Sequence, residues 1–334
     1  MSESRTLLAE TADRLFADIA ADAKLTFANA WAQIAEHGFP GLLVSEAQGG
    51  FGGDWLDAAS VLRLAAYRAL RAPLAEAILA ARLTADAGLA SADGLAVMAR
   101  SCKGAFDKGS FTGAVDGVAW GRAAASIVAV VDGTLIRLMR SDAAEIREGT
   151  SPADEPRDTL RFDGARAESA ATTADPFLLG AFARTADIAG ALDGALEASI
   201  AYANERVQFG KPIGKFQAVQ QSLAVFAEEA AAVNCGAQAA ARALDQGDAS
   251  FEIPAAKLRA NMAAQAGVAI AHQVHGAIGF TREFGLHRWT RRLIAHASEY
   301  GSERHWSEVL GARVAALGAE SLWPEIARRS DRAA

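Results

Sequence analysis

Over its first 95 or so residues the chain repeats apolar positions at helical spacing, as at Ala58, Val61, Leu62 and Ala65, in segments dominated by alanine and leucine. That period predicts helices. A glycine-rich stretch over 38–53 interrupts it and predicts a structural turn. No Gly-Lys-Ser/Thr follows, so it is not a phosphate loop. Between about 96 and 170 the pattern changes to short β-branched runs. Ser126–Val131 and Thr134–Met139 flank Asp132-Gly133, which predicts a hairpin. A turn-rich stretch over 149–156 leads to a last strand at 159–162. From about Asp175 to Leu322 the helical period returns in long segments over 177–206, 216–244 and 255–277, and Pro176, Pro212 and Pro254 mark starts or stops. Long helices with short connections predict an antiparallel bundle. The expected fold is mostly α with a small β domain: a helical N-terminal domain over 1–95, a reduced middle β domain over 96–170 and a C-terminal helical bundle over 171–334.

Composition narrows the functions this fold can serve. The chain has 334 residues, 51% of them hydrophobic and 22% charged, which is globular composition. A net charge of −7 leaves no general nucleic-acid footprint. Cys102 and Cys235 stand far apart, which excludes a disulfide framework and a thiolate zinc cage. No run approaches the roughly 18 apolar residues of a membrane span, and the N-terminus has no basic flank before an apolar core. A cytoplasmic protein is expected. His272 and His275 share a helix face, but no third ligand stands at metal spacing, so no metal site is expected.

Three polar islands interrupt the C-terminal helices. The first runs from Glu205 to Gln221 and holds Arg206, Lys211 and Lys215 near helix ends, where cations suit phosphate groups. The second runs from His272 to Gly285, with Gly276 and Gly279 permitting close backbone approach to a flat ligand. The third runs from Ser298 to Arg304.

Taken in order, these islands resemble the motifs of acyl-CoA dehydrogenases. Arg206-Val-Gln-Phe-Gly followed by Phe216-Gln217 resembles the Arg-x-x-Phe-Gly…Phe-Gln signature, and Gln273-Val-His-Gly-Ala-Ile-Gly279 resembles Gln-x-x-Gly-Gly-x-Gly. Arg291-Arg292 through Tyr300-Gly-Ser302 is similar to the Arg-Asp…Glu-Gly-Thr ending, and the N-terminal glycine turn resembles Gly-x-x-x-Pro-Glu-x-x-Gly-Gly-x-Gly. The resemblance implies an FAD-dependent enzyme that desaturates an acyl-CoA and passes electrons to an electron-transfer flavoprotein, assembled as a dimer or tetramer. It implies that Arg206 contacts the pyrophosphate, Gln217 binds the adenosine half, and Gln208 and Phe209 flank the dinucleotide. It further implies that Gln273, Val274, His275, Gly276 and Ala277 present backbone across a subunit boundary, and that Ser302 and Glu303 meet the flavin nucleotide.

Two departures shape the functional expectation. The β domain is short, without the family's Thr-Glu-Pro and Gly-Ser-Asp segments, and Trp120 stands either for its Trp-containing strand beside the flavin or as a buried core tryptophan. The family places its proton-abstracting glutamate immediately before the glycine of Glu-Gly-Thr. Here Tyr300 occupies that position and Glu299 lies one residue earlier, the one catalytic candidate. The other base position seen in relatives counts back to Gly180, with Asp175 and Asp187 the nearest acids. Three readings stay open: a self-sufficient dehydrogenase, a non-catalytic partner subunit resembling those of heteromeric steroid-type dehydrogenases, and a flavin monooxygenase-like member.

Overall fold

A computed structural model of the chain describes residues 3–331. They form ten helices and two sheets: α1 (Glu3–Ala21), α2 (Phe27–Glu36), α3 (Trp55–Tyr67), α4 (Leu74–Asp86), a β region, then α5 (Pro176–Glu205), α6 (Gln217–Asp245), α7 (Glu252–His275), α8 (His287–Ser298), α9 (Glu303–Leu317) and α10 (Ala319–Asp331). The strands are β1 (Ala96–Met98), β2 (Ser101–Asp107), β3 (Ser110–Ala119), β4 (Ser126–Val131), β5 (Thr134–Met139), β6 (Glu145–Arg147) and β7 (Arg157–Ala171), with a small pair β8 (Val207–Gln208) and β9 (Lys211–Pro212) after α5. The mostly α fold with a small β domain, expected from periodicity, is what the chain adopts. No helix among the described residues is long and apolar enough to cross a membrane.

Two compact units divide the chain, one of Met1–Ala58 with Leu70–Gly180 and one of Ala59–Ala69 with Ala181–Ala334. In the first unit the main sheet runs β1-β4-β5-β7-β3-β2, with β6 also on β7. The β4–β5 hairpin turns at Asp132 (φ 46°) and Gly133 (φ 72°). Two left-handed residues in a row match the twist of the flanking strands, which is why Asp-Gly suits this turn. β7 is much longer than the predicted last strand because it pairs successively with β5, β6 and β3. The β2–β3 hairpin was not legible in the pattern. Its turn at Lys108-Gly109 joins strands whose outer faces carry mixed small and polar residues, so the period-2 signal is weak. Phe111, Val115, Val118, Ile127, Ile136 and Leu160 fill the sheet's core.

The second unit is built around α5. Every residue from 180 to 192 is buried, so this helix is core on all sides and cannot show an amphipathic stripe. Small residues let its neighbours approach. A Cβ on Gly190 would lie 1.9 Å from the backbone oxygen of Arg63 on α3. Arg63 Nε also donates to Asp193 at 2.8 Å, and Asn234 on α6 donates to the same carboxylate at 3.1 Å. Gly190→Ala is therefore expected to destabilise the fold by about 3 kcal/mol, read as a lower urea midpoint. An unchanged midpoint would mean that α3 and α5 do not cross this closely.

Candidate functional site

The polar islands lie along two helices that run side by side in the same sense. At one end Arg184 of α5 and Lys257 of α7 meet the turn after α8. At the other end Tyr202 of α5 stacks on His275 of α7, with ring centroids 4.6 Å apart. Equal stretches of helix, about 27 Å at the α-helical rise, separate the two ends on each helix. α6 and α8 return in the opposite sense, which completes the antiparallel bundle.

The end at Tyr202 brings the first two islands together. Arg206 follows α5 directly, its amide bonded to Tyr202 O and its carbonyl accepting from Ile213 N. Its guanidinium is exposed and has no acidic partner among the described residues. Phe209 turns the β8–β9 hairpin at φ 51° and is 92% exposed, with Gln208 exposed beside it. Gln217, the first residue of α6, is exposed, as are Lys211 and Lys215. Lys211 Nζ lies 4.4 Å from the Phe216 ring centroid. At the end of α7 and just past it, Gln273, Gly276 and Ala277 face solvent, whereas Val274 and His275 pack inward. His275 Nδ1 lies 2.8 Å from Ala271 O, and burial lowers its pKa below the usual histidine value. Gly276 has φ 61° and ψ −143°, and nothing lies within 4 Å of the place where its Cβ would stand. An open backbone at Gly276 and an exposed guanidinium at Arg206 are each the kind of group that suits a flat ligand carrying a diphosphate.

Midway along α7, Gln265 Nε2 donates to Glu303 Oε2 at 3.1 Å. Ser302 caps α9, its hydroxyl accepting from His305 N at 3.3 Å. Ser302 and Glu303 are both exposed, and Gln265 lies about 12 Å along α7 from Gln273.

The end at Arg184 is different in kind. Glu299 is only 6% exposed, and its carboxylate accepts from Arg184 Nε at 2.6 Å. Arg184 Nη1 donates to Asp187 Oδ2 at 2.7 Å, so one buried guanidinium bridges two carboxylates. Tyr300 is also buried, with Arg184 5.7 Å from its ring centroid. Asp175 accepts from the amides of Phe177 and Leu178 and so caps the start of α5. Of the two acids nearest Gly180, one is a helix cap and the other an ion-pair partner.

In the first unit Trp120 is not in a strand. It sits just past β3 at φ 51°, is 7% exposed, stacks on Phe27 at 5.9 Å and lies under Arg157. These are the contacts of a core tryptophan. His272 stacks on Phe280 at 4.1 Å, and no group of three or more His, Cys, Asp or Glu among the described residues is placed to hold a metal ion.

Sequence reasoning passed over Arg184, Lys257 and Asn261. A signal was present for Lys257: it shares its helix face with Ala260, Ala264 and Gly267, all buried, a setting where an unpaired lysine is costly.

Residues 171–315 match the acyl-CoA dehydrogenase C-terminal domain. That part of the chain is an acyl-CoA dehydrogenase C-terminal domain. Among similar proteins, acyl-CoA dehydrogenase IpdE2 of Mycobacterium tuberculosis is 29% identical over 310 residues, covering 89% of this chain and 92% of the relative. The ChsE4-ChsE5 complex from Mycobacterium tuberculosis is similar with a TM-score of 0.83 at 19% identity, covering 94% of this chain and 98% of that one. The FAD complex of PigA is similar with a TM-score of 0.78 at 18% identity, over 95% and 99% of the two chains. At those identities the two structures establish the acyl-CoA dehydrogenase fold and nothing finer.

Proposed function

We propose that this chain is an FAD-binding subunit of a heteromeric acyl-CoA dehydrogenase whose proton-abstracting carboxylate comes from a second chain. The observation that carries this reading is the buried Arg184–Glu299 pair beside Tyr300. Desaturation removes a proton from Cα of an acyl thioester and a hydride from Cβ, leaving a Cα–Cβ double bond. The base must present an open lone pair to the acidic C–H. Glu299 is turned to a guanidinium, and Tyr300 offers a phenol, which is a poor base at neutral pH. FAD supplies the hydride acceptor, and an electron-transfer flavoprotein takes the electrons onward.

This chain's own residues then bind and orient. Arg206 holds the pyrophosphate, and Gln217 takes the adenosine half. Gln208 and Phe209 line the dinucleotide from the hairpin, while Gln273, Gly276 and Ala277 offer backbone. Ser302 and Glu303 meet the flavin nucleotide from the start of α9. The ChsE4-ChsE5 complex and the FAD complex of PigA are precedents on the same fold for a two-chain assembly and for the cofactor.

Two measurements test the cofactor. The chain, alone or with a second dehydrogenase subunit, is expected to keep a yellow FAD spectrum through gel filtration. A colourless protein that takes up no FAD in either form would overturn the reading. Arg206→Ala is expected to raise the FAD dissociation constant by roughly 10- to 100-fold, as loss of a charge-assisted hydrogen bond should. Lys215→Ala should change it little, because an exposed charge contributes about 0–1 kcal/mol. Equal constants for the two variants would remove Arg206 from the pyrophosphate site.

A further inference from the structure

We infer that Lys257, working with Asn261, is a positioning residue that fixes the Glu299–Tyr300–Gly301 turn and thereby the Ser302–Glu303 start of α9. The consequence for flavin rests on the function proposed above.

Lys257 lies on α7 with no solvent exposure. Its ammonium donates to Asn261 Oδ1 at 2.5 Å and to His296 O at 2.9 Å, and it reaches Gly301 O at 3.4 Å. Asn261 Nδ2 donates to Gly301 O at 3.1 Å. From the other side, Trp306 Nε1 donates to Tyr300 O at 3.1 Å. The carbonyls of His296, Tyr300 and Gly301 are therefore all taken by side chains from outside the turn. The turn needs this hold. Tyr300 has φ 53° and Gly301 φ 99°, and a Cβ on Gly301 would stand 2.3 Å from Trp306 Nε1. A tyrosine in the left-handed region persists only where its surroundings impose it.

The groups around Lys257 are mostly charged. Arg184 and Asp187 come from α5, Glu299 from the turn, and His296 from α8 with Nδ1 3.8 Å from Asp187. Burial pushes the Lys257 amine down to about 7, Arg184 adds to the effect, and Glu299 opposes it. Three N–H groups meet three acceptors when the lysine is protonated, and only two remain when it is not. The turn should therefore loosen as pH rises through about 7. Global stability moves the other way. The folded value lies below the ordinary 10.5, so from about 7 to 10.5 the unfolded chain holds the extra proton and this group stabilises the fold as pH rises. A residue with only a bulk structural role would move both readouts together.

The test uses the full chain without FAD first. Amide exchange at Tyr300, Gly301, Ser302 and Glu303, corrected for intrinsic rates, and Trp306 emission are followed from pH 6 to 8. In the wild type, exchange is expected to speed up by roughly tenfold over this range, the equivalent of one hydrogen bond. Lys257→Met should exchange fast at both ends with no pH step. Asn261→Ser should be faster than wild type and keep the step, which carries the test if Lys257→Met does not fold. With FAD added at pH 6, Lys257→Met should bind about tenfold more weakly than wild type. A wild-type turn with flat exchange and emission, together with Asn261→Ser behaving as wild type, would overturn the inference. Unchanged FAD binding in a Lys257→Met chain with a loosened turn would overturn its bearing on α9. If the wild type takes up no FAD, the flavin reading fails while the exchange result still decides the role of Lys257.

Discussion

Anaerobic addition of an acyl-CoA to the chain purified alone is expected to bleach its FAD some 10²–10⁴ times more slowly than the same addition to a complex with a second, base-carrying dehydrogenase subunit. The span is the usual contribution of a positioned general base. On this chain the position is filled by Tyr300, buried against Arg184, and a free tyrosine titrates near about 10. A neutral phenol oxygen is a far weaker base than a carboxylate. Stopped-flow absorbance of the oxidised flavin band, with a panel of acyl chain lengths, reads the rate directly. Rapid bleaching by the lone chain would defeat the two-chain account and return attention to its own acids.

Glu299→Gln separates those alternatives, and its largest expected effect is on stability. The Arg184 guanidinium is 3% exposed and holds Glu299 and Asp187 at 2.6 and 2.7 Å. Removing one partner of a buried ion pair costs about 3–5 kcal/mol. Asp187 remains, which places the expectation at the lower end, near 3 kcal/mol. The urea midpoint should fall accordingly, and flavin reduction in the two-chain complex should change little. A midpoint equal to wild type, combined with reduction slowed by roughly 100-fold or more, would identify Glu299 as the base after all.

The contrast between those residues and the rest of the bundle marks what a sequence can disclose. The α6 and α7 segments could be read because their apolar residues recur at helical spacing, and the Asp132-Gly133 hairpin because its turn demands two left-handed residues. The β2–β3 hairpin escaped because its faces are not cleanly alternating. Arg184 and Glu299 lie 115 positions apart, and nothing local to either announces the other. The apolar face around Lys257 signals its burial but not its partners, because two of its three acceptors are backbone carbonyls, which every residue possesses. Arg206, Gln217 and Gln273, by contrast, were singled out by resemblance to motifs, and the structure shows all three exposed at or near helix ends.

α5 and α7 also constrain how this chain can change over time. They are tied to each other's surroundings at both ends, through the Arg184 and Lys257 contacts at one and the Tyr202–His275 stack at the other, with equal helix between. They behave as two matched rulers. An insertion within one would slide its scale against the other and rotate every later side chain by about 100° per residue. Length variation among descendants of this chain is thus confined to the connections between helices, while the two rods stay in register by losing or gaining residues together or not at all.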